Sequence, residues 1–199
     1  MLYARCLRQF EKATRNTLLW RVPGQRDASK GRNNRMTEMI DFFPTVIDLV
    51  GVPKIPQCTG VDQPPTVLCL QGESYADEFL TTTAATATFG VGYTAKSTPK
   101  QYAFSQWPSP ARQGNGRDFR MGYTVRSIDG FRLTQYVPYN RQEYSGNWLW
   151  PISRDDLELY DYNTDPDERI NQAANPKYTA TVQKMLAVLK AQYSNTDHR

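Results

Sequence analysis

The carboxylates of this sequence are the first place to look for chemistry. Residues 161–172 read Asp-Tyr-Asn-Thr-Asp-Pro-Asp-Glu-Arg-Ile-Asn-Gln, and Asp161, Asn163 and Asp165 alternate as the opening ligands of a calcium loop do. The sixth place is Pro166, where such a loop turns on Gly, and the twelfth is Gln172, where a bidentate Glu closes it. The segment therefore reads as a turn. Asp155-Asp156 and Asp167-Glu168 are adjacent carboxylates, but neighbours in a turn point apart, so a solvated turn is the expected role. The stretch Phe-Gly-Val-Gly-Tyr-Thr-Ala-Lys, 89–96, has two glycines but neither a third nor a Gly-Lys-Ser/Thr, so it cradles no phosphate. The single histidine, His198, stands one residue from the end, where nothing fixes it as a base or metal ligand. Neither a catalytic residue nor a metal-ligand set emerges.

Three cysteines remain. Cys58 and Cys69 bracket a proline-rich loop, Pro-Gln-Cys-Thr-Gly-Val-Asp-Gln-Pro-Pro-Thr-Val-Leu-Cys, and read as a short-loop disulfide that belongs in an oxidising compartment. Reduced thiols in a core are the alternative reading. Cys6 is left over.

The elements that must position these residues fall into two parts, 1–100 and 101–199. In the first, "TLLWRVPG", 17–24, is an apolar run stopped by Pro-Gly and predicts a buried strand. Met36, Met39, Ile40, Phe43, Val46, Ile47 and Val50 recur at helical spacing and predict one core-facing stripe, with Asp41 at its start, Pro44 in its first turn, and Gly51 and Pro53 as its stop. "ESYADEFL", 73–80, predicts a further helix, and the Thr/Ala tract that follows has weak conformational preference. In the second part the period changes to that of strands. "QYAFSQW" is one strand; Met121–Ile128 and Phe131–Val137 form a hairpin on the two-residue turn Asp129-Gly130. Met121, Tyr123 and Val125 share its core side, Thr124 and Arg126 its polar side. "LELYD" is a strand leading into the turn already named, and Asn175 before Pro176 caps a last helix with Tyr178, Val182, Met185, Leu186 and Leu189 as its buried stripe. The second part is thus expected to be a small antiparallel sheet covered on one face by the C-terminal helix.

The chain has 199 residues, 39% apolar and 22% charged, a globular composition with no stretch apolar enough to span a bilayer. The start, MLYARCLRQF, has arginines where a signal peptide has its apolar stretch. Charge is uneven: residues 1–35 hold nine Lys/Arg and two acids, a net +7, and the remainder fifteen against eighteen, a net −3. A basic arm of this kind binds nucleic acid, anionic lipid or sulfated polysaccharide when it binds anything, and a merely solvated arm is the plainer expectation. The aromatic residues that stack on bases are concentrated in the second half, away from the arm, so nucleic acid is not expected as a partner.

Three stretches carry a family resemblance: "FEKATRNTLLWRVPG"; "MIDFFPTVIDLVGVPKIPQC" with "LCLQGES"; and "YAFSQWP", "MGYTVRSIDGFRLTQYV" and "LELYDYNTDPDERIN". In this order they resemble the C-terminal part of type I sulfatases, nearest to the iduronate-2-sulfatase branch. The resemblance implies an α/β chain, with residues 1–100 as the edge of an alkaline-phosphatase-like sulfatase domain and 101–199 as the small C-terminal subdomain. It further implies hydrolysis of sulfuric esters of glycosaminoglycans, in a lysosomal or secretory compartment. The family's formylglycine, made from a Cys-x-Pro/Ala-x-Arg motif, and its calcium ligands lie upstream of the region matched here. None of the three cysteines has that context. Cys6 stands where the family has a sulfate-contacting lysine, and Asn16-Thr17 departs from its Arg-Val-Pro-Leu.

The expectation is therefore a sulfatase fragment without turnover of its own and with no cofactor in this chain. The missing N-terminal sulfatase half is then a partner, and a non-catalytic module holding sulfated polysaccharide on the basic arm is the alternative. Arg126 and Trp107 are the candidate substrate-binding residues. Arg126 either faces the cleft of an intact enzyme, where its guanidinium meets a uronate carboxylate or a sulfate, or pairs with a neighbouring acid to hold the small subdomain on the large domain.

Overall fold

The structure is a computed structural model, and it describes residues 10–22, 32–53, 55–58, 68–79, 98–108, 119–143, 145–149, 152–153 and 156–193. Cys6, Asp155, His198 and the 89–96 stretch lie outside the described residues. The chain divides into two compact units: Leu18–Lys100, and Gln101–Arg199 together with Met1–Thr17.

The second unit is built on an antiparallel sheet. Strand β1 (Tyr102–Pro108) pairs with β2 (Arg120–Ser127), β2 with β3 (Phe131–Asn140), and β3 with both the two-residue β4 (Ser145–Gly146) and β5 (Leu157–Asp161). The β2–β3 register places Val125 opposite Leu133, Tyr123 opposite Gln135 and Met121 opposite Val137. Because side chains alternate along a strand, these share one face with Phe104 of β1 and Leu159 of β5. On that face a helix, residues 179–193, lays Val182, Met185 and Leu189, and the cluster with Tyr178 is fully buried. The helix starts as the sequence dictates. Asn175 Oδ1 accepts the Lys177 N–H at 3.0 Å, Pro176 occupies the first position of a 3-10 turn, and the α-helix follows from Thr179.

The hairpin differs from expectation in its turn. The register runs to Arg126 opposite Arg132, and Ser127 and Phe131 exchange side-chain to backbone bonds through Ser127 Oγ. The loop is thus the three residues Ile128-Asp129-Gly130 rather than Asp129-Gly130 alone. Gly130 takes φ +96°, the left-handed residue that three-residue hairpin loops place last.

The other unit is organised by helix. A 3-10 turn (Met39–Asp41) runs into the α-helix Phe42–Val50, which stops at Gly51 in the left-handed conformation, φ 69°. Its exposure pattern corrects the expected stripe. Met39 (76% exposed), Ile40 (51%), Phe43 (53%) and Val50 (59%) face outward, while Pro44, Thr45, Ile47 and Leu49 are buried. The helix is apolar around most of its circumference, so spacing alone could not say which side this chain would cover. Two further expectations fail here. The described part of 17–24 forms no strand: Leu19 is exposed, Val22 is buried, and Trp20 stacks on Phe42 at 4.9 Å with Phe79 at 5.5 Å. And 73–79 makes only a 3-10 turn, Ala76–Glu78.

Asp41 ties this unit together. Its carboxylate accepts the N–H groups of Glu38 (2.9 Å) and Glu73 (2.8 Å), and Lys100 Nζ lies 2.7 Å from it and from Glu38. Burial works against the Lys100 cation, but the hydrogen bonds to Asp41 and Glu38 hold its pKa above the ordinary lysine value. The expected Cys58–Cys69 disulfide is present, with Cα atoms 5.0 Å apart. Beside it, Cys58 N–H donates to Leu70 (2.9 Å) and Leu70 N–H to Pro56 (2.9 Å), a parallel bridge that seats the loop's two ends. No helix among the described residues is long and apolar enough to cross a membrane.

Candidate functional site

The polar face of the hairpin is where the chemistry-bearing residues gather. It carries Thr124 and Arg126 from β2 and Arg132 and Thr134 from β3. β5 adds Glu158 and Tyr160. This face was expected to be merely polar, yet Thr124, Arg132, Thr134 and Tyr160 are all buried. Phe10 and the one-turn helix after it, α1 (Glu11–Thr14), lie against its lower end.

At the centre is a buried ion pair. Arg132 is 2% exposed and donates through Nε to Glu168 Oε1 at 2.5 Å and to the Tyr162 hydroxyl at 3.1 Å; its Nη1 donates to Thr134 Oγ1 at 3.1 Å. The guanidinium carbon sits 5.1 Å from the Phe10 ring centroid and 4.9 Å from that of Tyr160. Those ring faces offset the lack, among the described residues, of an acceptor for Nη2. Burial opposes the Arg132 charge, but Tyr162 and Glu168 beside it raise its pKa further above neutrality. The Tyr162 hydroxyl donates to Glu168 Oε1 at 2.5 Å, and burial, against the pull of Arg132, pushes the phenol far up, so it stays protonated as donor. Glu168 adopts φ 55° to reach these partners, a backbone cost offset by the charge-assisted bonds it makes.

Arg126 stands on the same face beside this pair. Its Nε lies 3.4 Å from Glu11 Oε2, its guanidinium stacks 4.2 Å over the Tyr162 ring, and Nη1 donates to the Ser127 carbonyl and, at 3.4 Å, to that of Phe131. The neighbouring acid posited from sequence is therefore Glu11, 115 residues away.

Trp107 shares the face but not the place. It pairs with Gly122, four residues along β2 from Arg126, which at strand spacing separates them by about 13 Å. It is about half exposed, and the Tyr136 ring lies over Gly122 next to it, where a Cβ would come within 2.9 Å. The two candidates thus share a face without converging on one site.

The loop 161–172 uses its carboxylates internally. Asp161 Oδ1 accepts the Asn163 N–H and Nδ2, each at 3.0 Å, and Oδ2 accepts the Tyr178 hydroxyl at 2.9 Å. Burial opposes this charge, but the hydrogen bonds from Tyr178 and Asn163 prevail and hold the Asp161 carboxyl below the usual range. Asp165 Oδ2 accepts the N–H groups of Arg169 (2.6 Å) and Ile170 (2.9 Å). Donors aimed at these oxygens are the opposite of what a cation needs, so this loop does not fit a calcium ion, in keeping with Pro166 and Gln172 at its sixth and twelfth places. Among the described residues no group of three His, Cys, Asp or Glu side chains could hold a metal ion.

Among known proteins, solved structures resemble this chain. No family model matches the chain, and no curated protein does. The structure of BT4656 in complex with its substrate D-glucosamine-2-N,6-O-disulfate is similar at a TM-score of 0.43 and 22% identity, over 79% of this chain and 24% of that one. This chain thus spans about a quarter of that structure's length.

Sequence reasoning did not find Glu11, Arg132 or Glu168. Glu168 was read as one of two solvated neighbours; it is buried because a left-handed residue turns it inward while Asp167 stays out to meet Lys12 at 3.1 Å. The one legible signal was Arg132 on the polar side of a hairpin whose two neighbouring strands are both paired, a position where a charge needs a partner.

Proposed function

We propose that this chain is the C-terminal portion of a sulfatase of the type I family, iduronate-2-sulfatase-like, acting on sulfated glycosaminoglycan, and that it supplies scaffold and substrate-facing surface without the reacting groups. The observation that carries this reading is that the first and third of the stretches bearing the resemblance meet in space. Phe10 and Glu11 of "FEK", Arg126 of "TVRS", and Tyr160, Tyr162 and Glu168 of "LELYDYNTDPDE" form one network. The half-exposed α2 (Phe42–Val50) supports it too, since a helix apolar around most of its circumference, with Phe43 and Val50 facing outward, suits an interior helix of a larger body. In this reading the missing N-terminal sulfatase half covers that face and brings the formylglycine and calcium, which this chain's residues do not hold. The compartment is lysosomal or secretory, in keeping with the disulfide. The alternative, a polysaccharide-binding basic arm, is weakened by the arm's own pairings: Lys12 with Asp167, Arg15 with Glu11 and Arg35 with Glu78.

The test is sulfate release from a sulfated uronide by this chain alone and by this chain co-expressed with an upstream polypeptide carrying Cys-x-Pro-x-Arg. Release only from the pair is expected. Release by the chain alone contradicts the division of labour, and no release from a folded pair contradicts the sulfatase reading. Arg126→Ala separates its two roles. As a structural pair with Glu11, both about a quarter exposed, its loss should lower stability by about 1 kcal/mol with no ligand present. Unchanged melting with lost retention on a sulfated-uronide column would assign it to substrate instead.

A further inference from the structure

Residues 10–12 contact the sheet unit in an unusual way for a chain segment. No residue of α1 is buried, so burial does not hold it. Instead each of three consecutive residues has its own partner more than 100 residues further along. The Phe10 ring meets Tyr160 edge-on at 5.9 Å and lies 5.1 Å from the Arg132 guanidinium. Glu11 donates its N–H to Glu168 Oε2 at 3.0 Å and offers its carboxylate to Arg126 at 3.4 Å. Lys12 Nζ pairs with Asp167 at 3.1 Å. An aromatic anchor, a backbone donor caught by a buried carboxylate, and two opposite charges in fixed order are how a surface recognises a short linear motif. The receptor side is also built independently of the motif. Glu168 is fixed by Arg132 and Tyr162, and Arg126 by the Ser127 and Phe131 carbonyls and the Tyr162 ring.

We infer that Arg126, Arg132, Tyr160, Asp167 and Glu168 form a peptide-docking site for an aromatic–Glu–Lys sequence, occupied here by the chain's own Phe10–Glu11–Lys12. The site takes the same sequence from a separate polypeptide when its own segment is removed. This holds whatever reaction the protein serves. The occupant is this segment, which belongs with the sheet unit up to the unit boundary at Thr17.

The experiment uses the full chain with a specific protease site inserted between Thr17 and Leu18. After cleavage, the 1–17 peptide should stay with the remainder through gel filtration. Lys12→Asp should weaken that retention about 2- to 5-fold, the range that an exposed pair supports, and adding Asp167→Lys should restore it. Phe10→Ala should weaken it at least tenfold. Separately, the uncut chain carrying Phe10→Ala and Glu11→Ala, its fold checked by circular dichroism, should bind the synthetic peptide RQFEKATR saturably. A dimer in which one copy holds the other's cut segment would be the same site with its occupant exchanged, and so supports it. Loss of the peptide from the unmutated chain while the remainder stays folded would overturn the inference. Equal retention by the Phe10→Ala and charge-reversed chains would overturn it as well.

Discussion

The sheet unit and the helix α2 of the other unit treat their apolar residues in opposite ways. On the sheet, the expected core side is covered: Tyr123 and Val125 are buried and Met121 is partly buried, and Val125, Leu133 and Leu159 pack with Val182, Met185 and Leu189. On α2 the expected core stripe is largely turned outward: of its members Ile47 is buried, and Pro44, Thr45 and Leu49 are buried beside it while Phe43 and Val50 are exposed. Both are consistent with the same physics. A strand offers two faces of contrasting polarity, so alternation names the buried one; a helix apolar all round leaves the choice to whatever packs beside it. Strand residues thus report the fold of this chain, and α2 reports a surface that the described residues leave half covered.

That contrast can be broken at its strongest point first. Arg132→Ala should cost about 3 to 5 kcal/mol, because it leaves Glu168 buried without its charge partner, and thermal or urea unfolding checks it. A loss near that of a surface substitution would mean that the polar face is solvated rather than buried. Reducing the Cys58–Cys69 disulfide, which closes a loop of sequence separation 11, should remove about 2 to 3 kcal/mol from the unit that lacks a covered helix. Non-reducing peptide mapping confirms the pairing beforehand, and both thiols free to alkylate after oxidative refolding would reject it.

Acid should act on the sheet unit through Asp161. Its folded pKa is lowered, so the stability it contributes is present above the unfolded value of about 3.9 and is lost as pH falls through the lower folded value. Asp161→Asn should therefore melt below wild type at pH 6, by about 1.5 to 2 kcal/mol, with the gap narrowing as pH falls below about 4. A gap that does not narrow with acid would assign the loss to packing. The smallest effect is expected on α2: Phe43→Ser, at a residue 53% exposed, should change stability by less than about 0.5 kcal/mol and improve solubility. A large loss there would mean that the outward face is covered in solution.

Much of the sheet unit was legible in advance. The strand spans, the sides of Met121, Tyr123 and Val125, the Asn175 cap and the stripe of the last helix follow from local rules of period and capping. The three-residue turn was missed because Asp129-Gly130 fits either loop length, and only the Ser127 side chain bonding across to Phe131 decides it. The network around Arg132 was illegible for a different reason. Its members come from positions 10–12, 126–132 and 160–168, and no local pattern records which carboxylate will meet which cation across 36 to 155 residues. Arg126 was singled out, but its partner Glu11 is set by where the chain returns. Asp41 was read as a helix start, and its larger part, receiving Glu38, Glu73 and Lys100 at once, depends on contacts up to 59 residues away.

Amide hydrogen exchange on the intact, oxidised chain tests the contrast between the units most directly. The central amides of β2, β3 and β5 should exchange only through global opening, while those of Phe42–Val50, hydrogen-bonded within the helix but covered on one side, should exchange orders of magnitude faster through local opening. Protection of α2 equal to that of β3 would contradict the account, because it would place that helix inside a core this chain completes by itself.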